Sequence, residues 1–331
     1  MLKKLFLVFF ILLLPLQVFA ATFQYIISGT ADDPVATGGT QYSNLMGDGN
    51  TVWHVTEANR ESIIPTAGTL SDFKVQVQTA PGAGKSWAFT VRKTNVDTAL
   101  SVSIADTNTL SALDTDTVTV AAGDKVCISA AGTGTPTAAA AVYWTCKFIP
   151  DTAGETILLA SSAGNTWATA TNYETLIGSK ADDNVVFDAQ TLFPTAGTLK
   201  KFYCELATAP GAGNSRTFKI EKNGVDSGIA ITISETATTG NDTTNTLAIV
   251  AGDQVTIQQT AVTGSPSNTR VKSGIVFVPT TEGEWFTAAT TDDPMLVSAT
   301  EYQHLTCGDS TLTATENEQY NLTQATTAKA I

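Results

Sequence analysis

Histidine, cysteine and charged side chains are all scarce in this chain of 331 residues. It has two histidines, four cysteines and charged residues at 15% of its positions. His54 and His304 occupy unrelated places in the sequence, and no Gly-x-Ser-x-Gly elbow accompanies them. The spacing of the four cysteines does not suggest a zinc site. The sequence therefore gives little support to Ser-His-Asp catalysis or to a zinc centre.

After the first twenty residues, no stretch of the sequence is long and apolar enough to span a membrane. Within those twenty residues, Lys3 and Lys4 precede the apolar stretch 5–14, and Val18-Phe19-Ala20 offers small or permissive residues at the cleavage positions. The run is short for a bilayer, so the pattern predicts a secretory signal peptide over residues 1–20 and not a membrane anchor. We therefore expect a secreted or cell-surface protein with no membrane span after cleavage.

Basic residues are outnumbered in this sequence. Lysine and arginine total 18 and aspartate and glutamate total 31, which gives a formal net charge of −13. Nucleic-acid binding depends on neutralising phosphates with basic side chains, so this charge argues against nucleic acid and against anionic membranes. It favours solubility and repulsion between copies.

Helical periodicity is also missing, and a period of two takes its place. Apolar and polar residues alternate over the segments 73–77, 86–92, 100–104, 117–120, 126–128 and 142–146. Such alternation, with threonine and valine enrichment and frequent Gly, Pro, Asn and Asp, is typical of half-buried strands joined by turns. We therefore predict an all-β fold of the β-sandwich type, with about eight strands in each unit.

The sequence contains an internal repeat. Pro-Thr-Ala-Gly-Thr-Leu occurs at 65–70 and again at 194–199, and Ala-Pro-Gly-Ala-Gly occurs at 80–84 and 209–213. Both pairs are offset by 129 residues (194 − 65 and 209 − 80). A fixed period of this kind sets the number of structural units. We predict tandem β-sandwich (jelly-roll-like) repeats of about 129 residues.

The repeat defines the predicted domains. Residues 1–20 form the signal peptide, 21–150 the first sandwich, 151–280 the second, and 281–331 an incomplete third repeat with only the first strands. Tyr42 and Leu45 of the first repeat recur as Tyr173 and Leu176, and Tyr302 and Leu305. Half a sandwich cannot bury a core alone. Either the sequence is part of a longer gene product, or the half-unit docks onto a neighbour as donated strands.

Two short motifs carry a family resemblance. Lys222-Asn223-Gly224 at a turn, followed by Ala251-Gly252-Asp253-Gln254-Val255 and a closing strand with Phe277, resembles the latter half of C1q/TNF-type jelly rolls. The resemblance implies a jelly roll that can form trimers, and no catalytic residues. The Ala-Pro-Gly-Ala-Gly repeats are also similar to those of uncharacterised phage and bacterial surface proteins.

Cys127 and Cys146 lie on either side of the turn-rich segment 132–136. If that turn closes a hairpin, the two residues could form a disulfide, which export would permit. The second repeat has Thr256 in place of Cys127, so the bond would be a local cross-link in the first repeat and not the basis of the fold. The sequence leaves open whether it forms, and it gives Cys204 and Cys307 no partner.

A phosphate-binding loop is excluded at Gly84-Lys85-Ser86, because Thr79 stands where that motif needs its first glycine and a strand pattern follows. Acidic pairs at 32–33, 182–183 and 292–293, with Asp114 and Asp116, offer loop oxygens of the kind that calcium prefers. No ordered series of ligands appears, so solvated turn residues are the alternative. A glycosidase carboxylate pair depends on separation in space, and the sequence selects no two candidates.

Three tryptophans, Trp53, Trp167 and Trp285, lie in the opening thirds of their repeats. Exposed aromatic faces stack on sugars, so these residues are candidates for glycan binding, and core packing is the alternative. The sequence as a whole predicts a non-enzymatic structural or surface protein, from an appendage, a cell surface or a virion, that associates with itself. A glycan-binding adhesion module is the second hypothesis and an enzyme the third.

Overall fold

The computed structural model describes residues 24–31, 35–47, 53–139, 141–162, 166–179, 185–260, 262–289, 300–303 and 305–306. These residues form β-strands, two 3₁₀ turns (Glu57–Asn59 and Val186–Ala189) and connecting loops. The all-β sandwich prediction is confirmed. Within the described ranges, no helix has the length and apolar character needed to cross a membrane. The predicted signal peptide lies outside them.

The first sandwich contains nine strands. They are β1 (Tyr25–Ala31), β2 (Thr40–Ser43), β3 (Ser62–Ile63), β4 (Gly68–Val77), β5 (Gly82–Lys93), β6 (Val96–Asp106), β7 (Asp114–Val120), β8 (Lys125–Thr133) and β9 (Val142–Pro150). One sheet has the order β1-β9-β4-β7, and the other has the order β2-β8-β5-β6 with β3 also on β8. Strands from the two ends of the unit are neighbours in both sheets, which is the arrangement of a jelly roll.

The second sandwich contains ten strands. They are β10 (Thr156–Ser161), β11 (Asn172–Glu174), β12 (Gly178–Ser179), β13 (Thr191–Leu192), β14 (Gly197–Leu206), β15 (Gly211–Lys222), β16 (Val225–Glu235), β17 (Thr239–Ile249), β18 (Gln254–Gln259) and β19 (Val271–Pro279). Its sheets have the orders β12-β10-β19-β14-β17 and β11-β18-β15-β16, with β13 also on β18. Apart from β12, which is parallel to β10, the order repeats that of the first sandwich.

Corresponding strands start a fixed distance apart in the chain. The starts of β4 and β14, β5 and β15, and β8 and β18 each differ by 129 residues (197 − 68, 211 − 82 and 254 − 125). The predicted alternation is present too: in β5, Trp87, Phe89 and Val91 are fully buried and the residues between them are half-buried. Period-two patterning thus places one face of each sheet in a core between the sheets.

Two-residue turns join the β5–β6 and β15–β16 hairpins. Asn223 and Gly224 have φ values of 52° and 76°, and Thr94 and Asn95 have values of 48° and 65°. Both central residues of a type I′ turn need positive φ, which Asn-Gly accepts readily. The first repeat therefore keeps the same turn even though Thr94 is poorly suited to it.

The predicted disulfide is absent. Cys127 and Cys146 are free thiols, and they belong to different sheets, since Cys127 lies on β8 and Cys146 on β9. The segment 132–136 does not close a hairpin, because it crosses from one sheet of the sandwich to the other. Cys146 instead donates to the carbonyl of Ser71 on its own sheet.

Candidate functional site: the polar joint between the sandwiches

The two sandwiches meet where β3 of the first lies on β10, β14 and β19 of the second. The approach is closest at Gly274 of β19, whose Cα faces the backbone carbonyl of Ile63 so closely that a side chain would overlap it. Nearby, the Asn44 side-chain amide donates to the Ser161 hydroxyl at 2.7 Å. One edge of the first sandwich therefore covers the outward face of a sheet of the second.

Four charged side chains form a network in this contact, and two of them are buried. Lys272 Nζ lies 2.6 Å from Glu61 Oε2 and 3.2 Å from Glu205 Oε1. Lys125 Nζ lies 3.4 Å from Glu205 and 3.9 Å from Glu61. Only 1% of the Glu61 side chain and 4% of the Lys272 side chain are exposed. Since buried charges are tolerated only when paired, the network requires one fixed arrangement of the two sandwiches.

A second cluster surrounds Glu155, in the segment between β9 and β10. Glu155 accepts hydrogen bonds from Thr66 at 2.5 Å and from Lys201 at 2.7 Å, and Lys200 lies 2.9 Å away. Burial would raise the pKa of Glu155, but the hydrogen bonds from Lys201, Thr66 and Lys200 outweigh it and hold that pKa below its usual value. Glu155 is therefore ionised, and it links Thr66 of the first sandwich to Lys201 of the second.

A β-bulge explains how two adjacent lysines reach the same carboxylate. Neighbouring side chains on a regular strand point to opposite faces. Here the pairing of β14 with β19 shifts between Lys200 and Tyr203, and Lys201 has a φ of 52°. Such a bulge re-aims a side chain, and here it directs Lys201 towards Glu155.

The Thr66–Glu155 contact recurs one repeat later. Thr195 donates to Glu284 at 2.5 Å, and each of these two residues lies 129 positions after its counterpart in the Thr66–Glu155 contact. In the same way, the amide of Asp151 donates to the carbonyl of Ala67, and the amide of Thr280 to that of Ala196. The chain thus leaves the second sandwich along the path by which it leaves the first.

The three candidate tryptophans all pack against the core. Trp167 is fully buried and lies 5.9 Å from the ring of Phe218. Trp53 is half-buried and lies about equally far from Phe89 (6.2 Å) and Trp144 (6.1 Å), and Trp285 is half-buried against the core. The stacking role is therefore wrong for Trp167, because no face of its ring reaches solvent.

A cluster of reactive residue types lies on the first sandwich, around Glu57. Arg92 donates to both oxygens of Glu57 at 2.6 and 3.0 Å, and its guanidinium lies 5.5 Å from the ring centre of Tyr42. Cys127 lies 3.6 Å from the same carboxylate, and burial together with Glu57 raises the pKa of its thiol. A nucleophilic cysteine needs the thiolate, so this environment opposes thiol catalysis.

Histidine and aspartate have local structural roles where the structure describes them. The His54 ring nitrogen accepts the Thr56 amide at 2.8 Å, and burial and Arg60 lower the pKa of His54. Asp114 accepts the Ser101 amide at 2.7 Å and the Asp116 amide at 3.0 Å. Among the described residues, no group of three or more His, Cys, Asp or Glu could hold a metal ion. The acidic pairs at 32–33, 182–183 and 292–293, and His304, lie outside the described ranges.

Glu174 is a buried carboxyl group inside the second sandwich. Its side chain is inaccessible to solvent, and neither carboxyl oxygen has a hydrogen-bond partner. Burial raises its pKa well above the usual range of glutamate. The neutral acid is therefore the form that the fold accepts, since an unpaired carboxylate in a core is costly.

Sequence reasoning missed the joint, although a signal for it exists. Glu61 and Lys272 correspond, at the offset of 129, to Gln190 and Tyr143. Glu205 likewise corresponds to Gln76. The charged residues of the joint thus lie at positions where the two repeats differ. Glu61 lies on one side of the contact, and Glu205 and Lys272 lie on the other. Charges present in a single copy of a repeat would have indicated a contact between copies.

No protein-family model matches the chain, and no curated protein is significantly similar to it.

Proposed function

We propose that the chain is a non-enzymatic structural protein of an exported assembly, on a cell surface, an appendage or a virion, in which sandwich units are held at fixed spacing and associate with other copies. The buried Glu61–Lys272 pair is the observation that carries this proposal. An ion pair excluded from solvent has little tolerance for relative motion of its partners. Two sandwiches joined in this way suit a building block better than a flexible tether.

Self-association is supported by an apolar patch on the second sandwich. Phe187 and Leu192 expose 71% and 57% of their surface. At the offset of 129 they correspond to Ala58 and Ile63, and Ile63 lies in the part of the first sandwich that covers a sheet of the second. The edge that forms the joint in one sandwich is thus apolar and exposed in the other. We propose a sheet face of a second copy as its occupant.

Light scattering and negative-stain electron microscopy of the exported chain, residues 21–331, test this proposal. We expect oligomers or fibres, and we expect the double variant Phe187→Ser/Leu192→Ser to shift the mass to that of a single chain. Leu113→Ser is the matched control, because Leu113 is 46% exposed between β6 and β7 of the first sandwich, outside this patch. A wild-type chain that stays monomeric at high concentration would refute self-association, and an unchanged mass in the double variant would refute the patch.

Glycan binding remains the second hypothesis, and no contact in the described residues favours it. The prediction that acidic loops bind calcium also stays untested, because the acidic pairs at 32–33, 182–183 and 292–293 lie outside the described ranges.

A further inference from the structure

The beginning of the third repeat contacts the first repeat. The hydroxyl oxygens of Ser28, on β1, and Thr306 lie 3.1 Å apart, and both side chains are buried. Thr306 also forms a hydrogen bond with Thr287. A row of repeats joined end to end would keep the first and third units apart. This contact therefore argues against a linear row of the three repeats.

The residues in this contact are related by the repeat. Tyr42, Tyr173 and Tyr302 mark equivalent positions, and Tyr42 and Tyr173 pair with residues 129 apart, Ser129 and Gln258. Four residues after these tyrosines come Met46, Ile177 and Thr306. On the first strands, Ile26 and Ile157 pair with Lys147 and Val276, again 129 apart. Phe286 follows Glu284 as Ile157 follows Glu155.

One small cavity brings the equivalent residues together. It is lined by Ile26, Ser28 and Met46 of the first repeat, Ile177 of the second, and Phe286, Thr287 and Thr306 of the third. All three members of the set Met46, Ile177 and Thr306 therefore meet at one place. Equivalent residues of successive repeats converge in this way only where the repeats surround a common axis.

Two contacts beside the cavity join the segment after a repeated tyrosine to the first strand of another repeat. Met46 of the first repeat accepts the backbone amide of Leu159 on the first strand of the second. Thr306 of the third repeat contacts Ser28, which occupies the position of Leu159 on the first strand of the first repeat. The segments after the first and third repeated tyrosines thus each touch the first strand of another repeat. Ile177, which follows the second tyrosine, lines the same cavity as Phe286 of the third repeat.

The outward face of the first sheet supports the same arrangement. Tyr143 and Thr145 on β9 alternate with the core residues Trp144 and Cys146, so they point away from their own sandwich, yet they are buried. Thr145 corresponds to Gly274 at the offset of 129, and Gly274 is the residue covered by Ile63 of the first repeat. The first sheet is thus covered where the joint covers the second.

We infer that the three repeats close around a pseudo-threefold axis within one chain, with the third repeat joining the second sandwich back to the first. A head-to-tail contact gives a ring when its rotation closes, and a filament when it does not. Here the contact between the segment after a repeated tyrosine and the first strand of another repeat runs from the third repeat back to the first. The chain is then a closed three-position module, and growth into larger assemblies must use other surfaces, such as the edge with Phe187 and Leu192.

Disulfide trapping in the exported chain tests closure. Ser28→Cys and Thr306→Cys are introduced together, with Cys307→Ser to remove the adjacent thiol. We expect oxidation to produce a cross-link within one chain, seen as a reducible shift on a gel and as a monomeric mass. The positive control is Asn44→Cys/Ser161→Cys, across the joint between the first two sandwiches. Equal mixtures of the two single variants should give no cross-linked dimer.

Closure is overturned if the control pair cross-links and the Ser28/Thr306 pair does not, or if that pair links only different chains. Circular dichroism of the reduced variants establishes that they are folded. Should the first pair fail to fold, Ile26→Cys with Thr306→Cys, joined by a short bifunctional thiol reagent, probes the same cavity and is judged by the same outcomes. Cross-linking within a chain is independent of assembly between chains, so this test can fail while the proposed function stands, and the reverse.

Discussion

Lys272, on the last strand of the second sandwich, forms a 2.6 Å ion pair with Glu61, in the first, and both side chains are excluded from solvent. The two residues are 211 positions apart in the sequence. Removing one charge of a buried pair leaves the other without compensation, whereas removing both can be almost neutral. The pair therefore affects how the protein responds to single and double substitutions.

We expect Lys272→Met to lower the free energy of unfolding by about 3–5 kcal/mol, because it leaves the buried Glu61 with only the more distant Lys125, at 3.9 Å. The double variant Glu61→Gln/Lys272→Met should recover most of this loss. Urea denaturation followed by tryptophan fluorescence measures both. Lys219→Met is the control, since its partner Asp226 is half-exposed and such pairs contribute about 0–1 kcal/mol. Equal losses in Lys272→Met and the control would contradict the assignment.

Glu174 should make stability depend on pH. Its pKa is raised in the folded protein by burial, so between the unfolded value near 4.5 and the folded value the folded state holds a proton that the unfolded state has released. Stability is therefore greatest below the unfolded pKa and falls as the pH rises towards the folded pKa.

The isosteric variant Glu174→Gln removes this titration. We expect it to be more stable than the wild type at neutral pH, with a difference that grows as the pH rises above the unfolded pKa near 4.5. Parallel stability curves for the two proteins over that range would show that Glu174 does not titrate between the folded and unfolded states. The measurement is urea unfolding at a series of pH values.

Gly274→Ala should weaken the joint. A methyl group there would overlap the backbone carbonyl of Ile63, and a backbone atom cannot move aside as a flexible side chain does. We expect a loss of about 1–3 kcal/mol, the usual cost of overpacking. Gly38→Ala is the control, because Gly38 is exposed and has open space around it. Equal stability of the two variants would contradict the close contact.

The three repeated leucines should differ in their effect on stability. Leu45 and Leu176 are fully buried, whereas Leu305 exposes 66% of its surface. We expect Leu45→Ala and Leu176→Ala each to cost about 2–5 kcal/mol, and Leu305→Ala to have a small effect. Thermal or urea unfolding of the three variants measures this. A large loss in Leu305→Ala would show that this leucine is part of a core.

Local patterns in the sequence predicted the strands correctly, since alternation over residues 73–77 and 142–146 reports which side of a strand faces the core. The same patterns could not assign strands to sheets. Cys127 and Cys146 are close in sequence and flank a turn, yet they belong to different sheets, because a jelly roll sends consecutive strands across the sandwich. The disulfide hypothesis failed for this reason.

Arg216 shows how packing can override residue type. It corresponds to Trp87 at the offset of 129, and it is fully buried. Its guanidinium donates to the carbonyls of Ala168, Trp167 and Ser267 and to the side chain of Gln259. The alternating pattern of its strand marks the position as inward, but only the carbonyls supplied by distant loops make an arginine acceptable there.

The sequence by itself determined the all-β class, the positions of the strands and the 129-residue spacing, because hydrophobic alternation and turn residues act over a few positions of the chain. The tertiary structure decided which strands are neighbours, that Trp167 is a core residue, and how the sandwiches are joined. In the sequence, Glu61, Glu205 and Lys272 are distinguished only as charges that the other repeat lacks. They form a site only because folding removes them from water together, and the energy of a buried charge depends on its neighbours in space.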